Sequence, residues 1–128
     1  MSIKFALCIS VASLVAGIGI GAVGVQAQNK PKAYMISDTE PTNMQDYPKF
    51  LTEVRAIIKK EGGTSLYTAN GKMTVLEGEP PKGSHFGVVQ WPTSEKAVDF
   101  YKNNKEFKDA IKTYGVKQNW RIVVEAEQ

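Results

Sequence analysis

Two extended runs in this chain carry apolar bulk on both of their alternating sets. In HFGVVQW, His85, Gly87, Val89 and Trp91 point one way while Phe86, Val88 and Gln90 point the other. In NWRIVVEA, Trp120, Ile122 and Val124 oppose Arg121, Val123 and Glu125. A sheet built from such strands needs cover on both faces. The chain offers two helical segments to do it, enough for one face, and the other would expose a larger apolar patch than a soluble monomer tolerates. The expected solution is a homodimer in which two sheets face each other, with a cavity between them.

The part of the chain available for this fold is set by its start. Lys4 is followed by an uncharged apolar run, Phe5 to Val25, and then abruptly by QAQNKPK. A basic start, an apolar middle and the small-residue exit Val25-Gln26-Ala27 are the layout of a secretory signal, with cleavage expected after Ala27. A retained N-terminal anchor is the alternative, although the glycines and alanines of the run weaken it as a spanning helix. Either way the remainder is exported, to a bacterial periplasm or outside the cell, with no stable membrane association expected once the signal is cut. The single cysteine, Cys8, leaves with the signal, so the domain must be stabilised by a core without disulfides. The expected organisation is a signal over 1–27, a linker over 28–32 and one domain over 33–128.

Along that domain the hydrophobic period switches repeatedly. AYMISD (33–38) reads as a first strand. Phe50, Leu51, Val54, Ile57 and Ile58 then recur at helical spacing, with Glu53, Arg55, Lys59 and Lys60 on the solvent side. Asn43 and Asp46 resemble a cap, Pro48 makes the helix start irregular, and Gly62 and Gly63 close it. TSLYTANGKMTVLEG reads as two short strands around Asn70-Gly71. EPPKGS is a loop, HFGVVQW a strand stopped by Pro92, and Thr93 caps a second helix that breaks at Asn103-Asn104 and ends at Gly115. NWRIVVEA is the last strand. This order is α+β: a ferredoxin-like βαββ(β)αβ sandwich, an antiparallel sheet with two helices on one face.

The GG that closes the first helix, VLEGEPP (75–81), the strand ending Trp91-Pro92-Thr93, the helix EKAVDFY and the final RIVVEA together resemble the bacterial family known as domain of unknown function 1330. The resemblance covers roughly Pro31 to Ala126. It implies a dimeric α/β barrel built on the ferredoxin-like fold and implies no particular reaction. Members commonly carry arginine where Thr68 and His85 stand here, while Arg121 matches a basic position in the last strand.

Composition removes several functions. Without Lys4, 15 basic residues face 13 acidic ones, a net of +2, interspersed with no basic stripe, so nucleic acid is not an expected partner. With one histidine and no mature cysteine, no metal site is expected, and no cofactor. No nucleophile elbow or phosphate loop is present in the domain. His85 is a candidate acid or base if Glu77 or Glu125 orients it; otherwise it is a partly exposed residue at the start of a strand. Glu77 is read either at the mouth of a ligand cavity or as a turn residue. Arg121 holds an anionic ligand, or pairs with Glu125 or with a carboxylate across the dimer interface. Tyr34, Tyr67, Trp91 and Trp120 offer aromatic walls for a small apolar or aromatic ligand, or serve the core, and the expected partner besides a second copy is a small apolar or anionic ligand. The expected ligand-binding set is thus Tyr34, Tyr67, Glu77, His85, Trp91 and Arg121.

Three functions remain open: a homodimeric small-molecule-binding domain, a cofactor-free oxygenase or isomerase with His85 and Arg121 in its site, and a structural or partner-binding protein with no ligand. A cavity holding both His85 and Arg121 favours the enzyme. An aromatic cavity without titratable groups favours binding, and a filled dimer interface favours the structural reading.

Overall fold

Alternation in the first strand decides how the sheet is dressed. In β1 (Ala33–Pro41), Ala33, Met35 and Thr39 are buried beneath the helices, whereas Tyr34 and Ile36 face the other way. The structure is a computed structural model, described over residues 30–68, 72–80 and 85–128. The expected cleavage after Ala27, Cys8, the Asn70-Gly71 turn and the stretch Lys82-Gly83-Ser84 lie outside those residues.

After β1 the chain forms α1 (Tyr47–Lys60), β2 (Thr64–Tyr67), β3 (His85–Trp91), α2 (Ser94–Asn103), α3 (Lys105–Tyr114) and β4 (Val116–Glu125). The sheet order is β2-β3-β1-β4 with every neighbouring pair antiparallel, so β1 and β3 hold the centre. Two βαβ units interleave in this way, and the architecture is α+β and ferredoxin-like, as the sequence predicts.

Each helix is delimited by local chemistry. The side chain of Asn43 accepts from Gln45 N at 2.9 Å and donates to Asp46 at 2.9 Å, forming the irregular entry to α1, whose first turn accommodates Pro48. Gly62 then takes φ +93°, and Gly63 N returns to Ile58 O at 2.9 Å. Thr93 caps α2 by accepting from Lys96 N, and Asn104 both ends α2 and caps α3 by accepting from Phe107 N at 2.8 Å. The expected break at Asn103-Asn104 is therefore a change of helix, and Gly115, at φ +62°, ends α3.

The helices bury one apolar stripe each against the sheet. Tyr47, Phe50, Leu51, Val54, Ile57 and Ile58 come from α1, and the Trp91, Phe100 and Phe107 rings follow one another at 4.7 and 4.9 Å beneath α2 and α3. Each ring so buried stabilises the fold by roughly 1.5–3 kcal/mol.

One element differs from the expectation. Residues 72–80 contain no strand, and Val75 and Leu76, read as the second arm of a hairpin, are exposed, Leu76 almost fully at 95 %. Strand pattern alone does not make a strand: β2 is the sheet edge, and a register shift between Ser65 and Tyr67 already interrupts its ladder to β3.

Candidate functional site

Because β1 pairs with β3 on one side and β4 on the other, side chains facing the helices line up in rows across three strands. Thr39 lies between His85 and Gln118, Ser37 between Gly87 and Arg121, and Met35 between Val89 and Val123; Ala33 is flanked by Trp91. The rows grade from polar to apolar along the sheet. Between them and the helices lies a cavity of about 70 Å³, walled by α1 from above and reached by Tyr67 and Thr68 from the end of β2.

Four of the six expected ligand residues line this one cavity: Tyr67, His85, Trp91 and Arg121. Tyr34 is on the opposite face of the sheet, paired with Gln90 and Val124. Glu77 stands exposed in the 72–80 segment next to Gly78, whose φ of +72° explains the glycine, and does not line the cavity. The cavity also lies inside a single chain, on the helix side of the sheet, whereas the alternation argument placed one between two sheets. Parity along a strand separates two faces but does not say which one the helices take.

His85 occupies the polar end. Its ring meets the Tyr47 ring at 4.8 Å, and its carbonyl accepts from Thr39 Oγ1 at 3.3 Å. The Thr39 hydroxyl is also 3.3 Å from Tyr47 Oη, and burial raises the Tyr47 pKa above its ordinary value. Glu125, one of the carboxylates considered as an orienting group for His85, instead accepts from Ser94 Oγ outside the cavity.

Arg121 is the most unusual group. Its guanidinium rests on the Phe107 ring at 4.9 Å and the Tyr101 ring at 5.2 Å, donates to Gln118 Oε1 at 2.6 Å, and approaches Met35 Sδ at 3.7 Å. Its Nε–H is buried with no acceptor, and among the described residues no carboxylate lies within ion-pair distance. The expected pairing with Glu125 is not made, since Glu125 lies at the far end of β4 and turns to α2. Burial lowers the Arg121 pKa to about 10, so the group is still a cation at neutral pH.

Sequence reasoning missed Ser37, Thr39, Tyr47 and Arg55 as cavity residues. Arg55 belongs to the charged side of α1, yet it donates to Thr68 Oγ1 across the cavity mouth. Ser37 carried a usable signal, since it shares parity with Met35. Among the described residues, no aspartate or glutamate lines the cavity. The two buried side-chain donors that lack an acceptor among the described residues, Arg121 Nε and Trp91 Nε1, both belong to cavity residues. Among the described residues the lining thus offers hydroxyls and the cations Arg55 and Arg121 but no anionic acceptor.

The outer face of the sheet is different in kind. Trp120, Ile122 and Val124 are 42, 48 and 41 % exposed. The Phe86 and Trp120 rings lie 5.8 Å apart on either side of Asp38, which is buried and accepts from Asn119 through Oδ2, while Oδ1 has no donor.

Comparison with known proteins gives a family and a fold. The family described as Domain of unknown function (DUF1330) matches residues 32–125. The crystal structure of RPA0582, a protein of unknown function from Rhodopseudomonas palustris, is similar at 9 % identity and TM-score 0.51, covering 84 % of this chain and 92 % of that one. The structure of methylated RPA0582 is similar at 11 % identity and TM-score 0.52, covering 84 % and 90 %. No curated protein matches the chain.

Proposed function

This chain belongs to the family described as Domain of unknown function (DUF1330), and on that footing we propose that it is an exported, homodimeric small-molecule-binding domain. The ligand site is the cavity between the sheet and its own helices. The observation that carries this reading is Arg121: a buried guanidinium at a cavity wall, with no counter-anion among the described residues, is costly unless something supplies one. Export rests on the Phe5 to Val25 run and its exit at Ala27.

The dimer rests on the outer sheet face. Trp120, Ile122 and Val124 form an apolar surface of the kind that a second copy covers.

His85 and Arg121 line the same cavity, which favours a second reading, a cofactor-free oxygenase or isomerase with His85 as acid or base and Arg121 on an anionic substrate. Binding is put first because Glu77 and Glu125, the carboxylates expected to orient His85, lie outside the cavity.

Native mass spectrometry of protein taken from its host's exported fraction tests the reading. The expected result is a chain beginning at Gln28, a dimer, and a retained small molecule that is recovered unchanged after incubation with fresh protein. Conversion of that molecule would move the assignment to the enzyme. A monomer with an empty cavity would remove both.

A further inference from the structure

We infer that the cavity takes a small aliphatic monocarboxylate, with its carboxylate on Arg121 beside the Ser37 hydroxyl and its chain directed towards Met35, Val89 and Trp91. This deepens the binding reading and rests on it.

The polarity of the rows sets the orientation. Gly87, Ser37 and Arg121 form one row, and Val89, Met35 and Val123 form the next, about 7 Å further along the strands. A ligand that satisfies both rows has a polar head and an apolar body of that length. Gly87 makes room for the head, since a Cβ at that position would stand 3.1 Å from Ser37 Oγ and crowd the hydroxyl.

The chemistry of the head follows from the unpaired groups. Arg121 has five N–H donors, and among the described residues the acceptors it meets are one amide oxygen and one thioether sulfur. The rings of Phe107 and Tyr101 hold the guanidinium plane in place, so it is preorganised for a planar acceptor. A carboxylate matches that plane and supplies the missing charge. A phosphate supplies charge without a body for the apolar rows.

Size limits the ligand further. A cavity of 70 Å³ offers about five to seven water-sized positions at roughly 10–15 Å³ each. With one heavy atom to a position, that fits the straight-chain acids of about three to five carbons.

Calorimetric titration of the purified protein with the straight-chain carboxylates from acetate to hexanoate, their matching alcohols, and inorganic phosphate tests the inference. The expected result is an optimum in mid-series, with the alcohols and phosphate weaker by at least about 30-fold. Arg121→Met is expected to lose carboxylate affinity by a similar factor while the unliganded variant melts at a higher temperature than the parent. Arg121→Lys, which keeps the charge without the planar fork, should fall between them. Gly87→Leu should abolish binding by filling the space.

Carboxylates and alcohols binding equally would overturn the carboxylate assignment and leave the binding reading standing. Phosphate binding as tightly as the best carboxylate would overturn it too. If nothing in either series binds, the inference falls, whereas the binding reading stands or falls separately on the retained molecule sought by native mass spectrometry. The contrast between carboxylate and alcohol needs no variant, so the test holds even where a substitution prevents folding.

Discussion

Gly63 lies flat against the indole of Trp91: a Cβ at position 63 would stand 3.0 Å from Trp91 Cζ2 and 2.7 Å from Ile58 Cγ2. Both neighbours are buried in the core, and neither can move without displacing Phe100 or the end of α1. Gly63→Ala is therefore expected to destabilise by about 1–3 kcal/mol through overpacking. Urea unfolding followed by tryptophan fluorescence would show it, and a variant as stable as the parent would mean that the contact is slack.

Asn104 serves two helices at one residue. Its backbone N–H bonds to Phe100 O at 3.0 Å as α2 ends, and its side chain accepts from Phe107 N at 2.8 Å as α3 begins. Asn104→Ala removes only the second of these, and the expected loss is about 1 kcal/mol. Asn104→Asp should restore it, because a carboxylate accepts the same bond at the positive end of α3. Thermal melts of the two variants separate a lost cap from a merely altered surface.

The homodimer proposal has its own consequence. Trp120 and Ile122 are about half exposed in the single chain, so Trp120→Lys with Ile122→Lys should leave the fold nearly as stable as before. Two lysines from each copy facing one another would weaken association by at least about 2 kcal/mol. Sedimentation at micromolar concentration is expected to show a dimeric parent and a monomeric variant with unchanged circular dichroism. A variant that stays dimeric would place the interface elsewhere.

Tyr47 makes the fold sensitive to high pH. Burial raises its pKa above the ordinary 10.0, opposed by the Thr39 hydrogen bond and the charge of Arg55. The folded state thus favours the neutral phenol, and above about pH 10 the unfolded chain gives up this proton first. The contribution is complete below that pH and is lost as pH rises through the folded pKa. Tyr47→Phe should lose less stability between pH 9 and pH 11 than the parent, measured as the shift in urea midpoint. Part of the decline should persist, since Tyr114, hydrogen-bonded to Glu53 at 2.8 Å, also has a raised pKa.

Much of this architecture was legible residue by residue. The change of helix at Asn103-Asn104, the cap at Thr93 and the glycine at 115 are local choices between backbone and side-chain hydrogen bonds, which a few neighbouring residues decide. The two glycines after α1 were legible only in part. Gly62 is required by its φ of +93°, a local matter, whereas Gly63 is required by Trp91, a residue 28 positions later that no local rule connects to it.

The candidate site divides in the same way. Tyr67, His85, Trp91 and Arg121 were identifiable as chemically suited side chains, and parity put His85 and Trp91 on one face of β3, but only the strand pairing brought them together with Arg121 of β4 and Tyr67 of β2. Arg55 was not identifiable, because its position on the charged side of α1 reads as solvent until β2 brings Thr68 within its reach. Glu125 shares the strand face of Arg121, but an extended strand holds the two positions about 13 Å apart, and Glu125 accepts from Ser94 instead.

What the sequence by itself determined is therefore periodicity, caps and the two-sided apolar character of the strands, all properties of residues within a turn or a few strand positions of one another. What only the tertiary structure decided is which strand face the helices cover. That choice joins Ser37, Gly87 and Arg121 from three separate strands into one row and leaves the Arg121 cation buried with no carboxylate partner among the described residues. The physical reason is that burial and counter-charge depend on what packs across the sheet, and alternation along a strand carries no information about its neighbours.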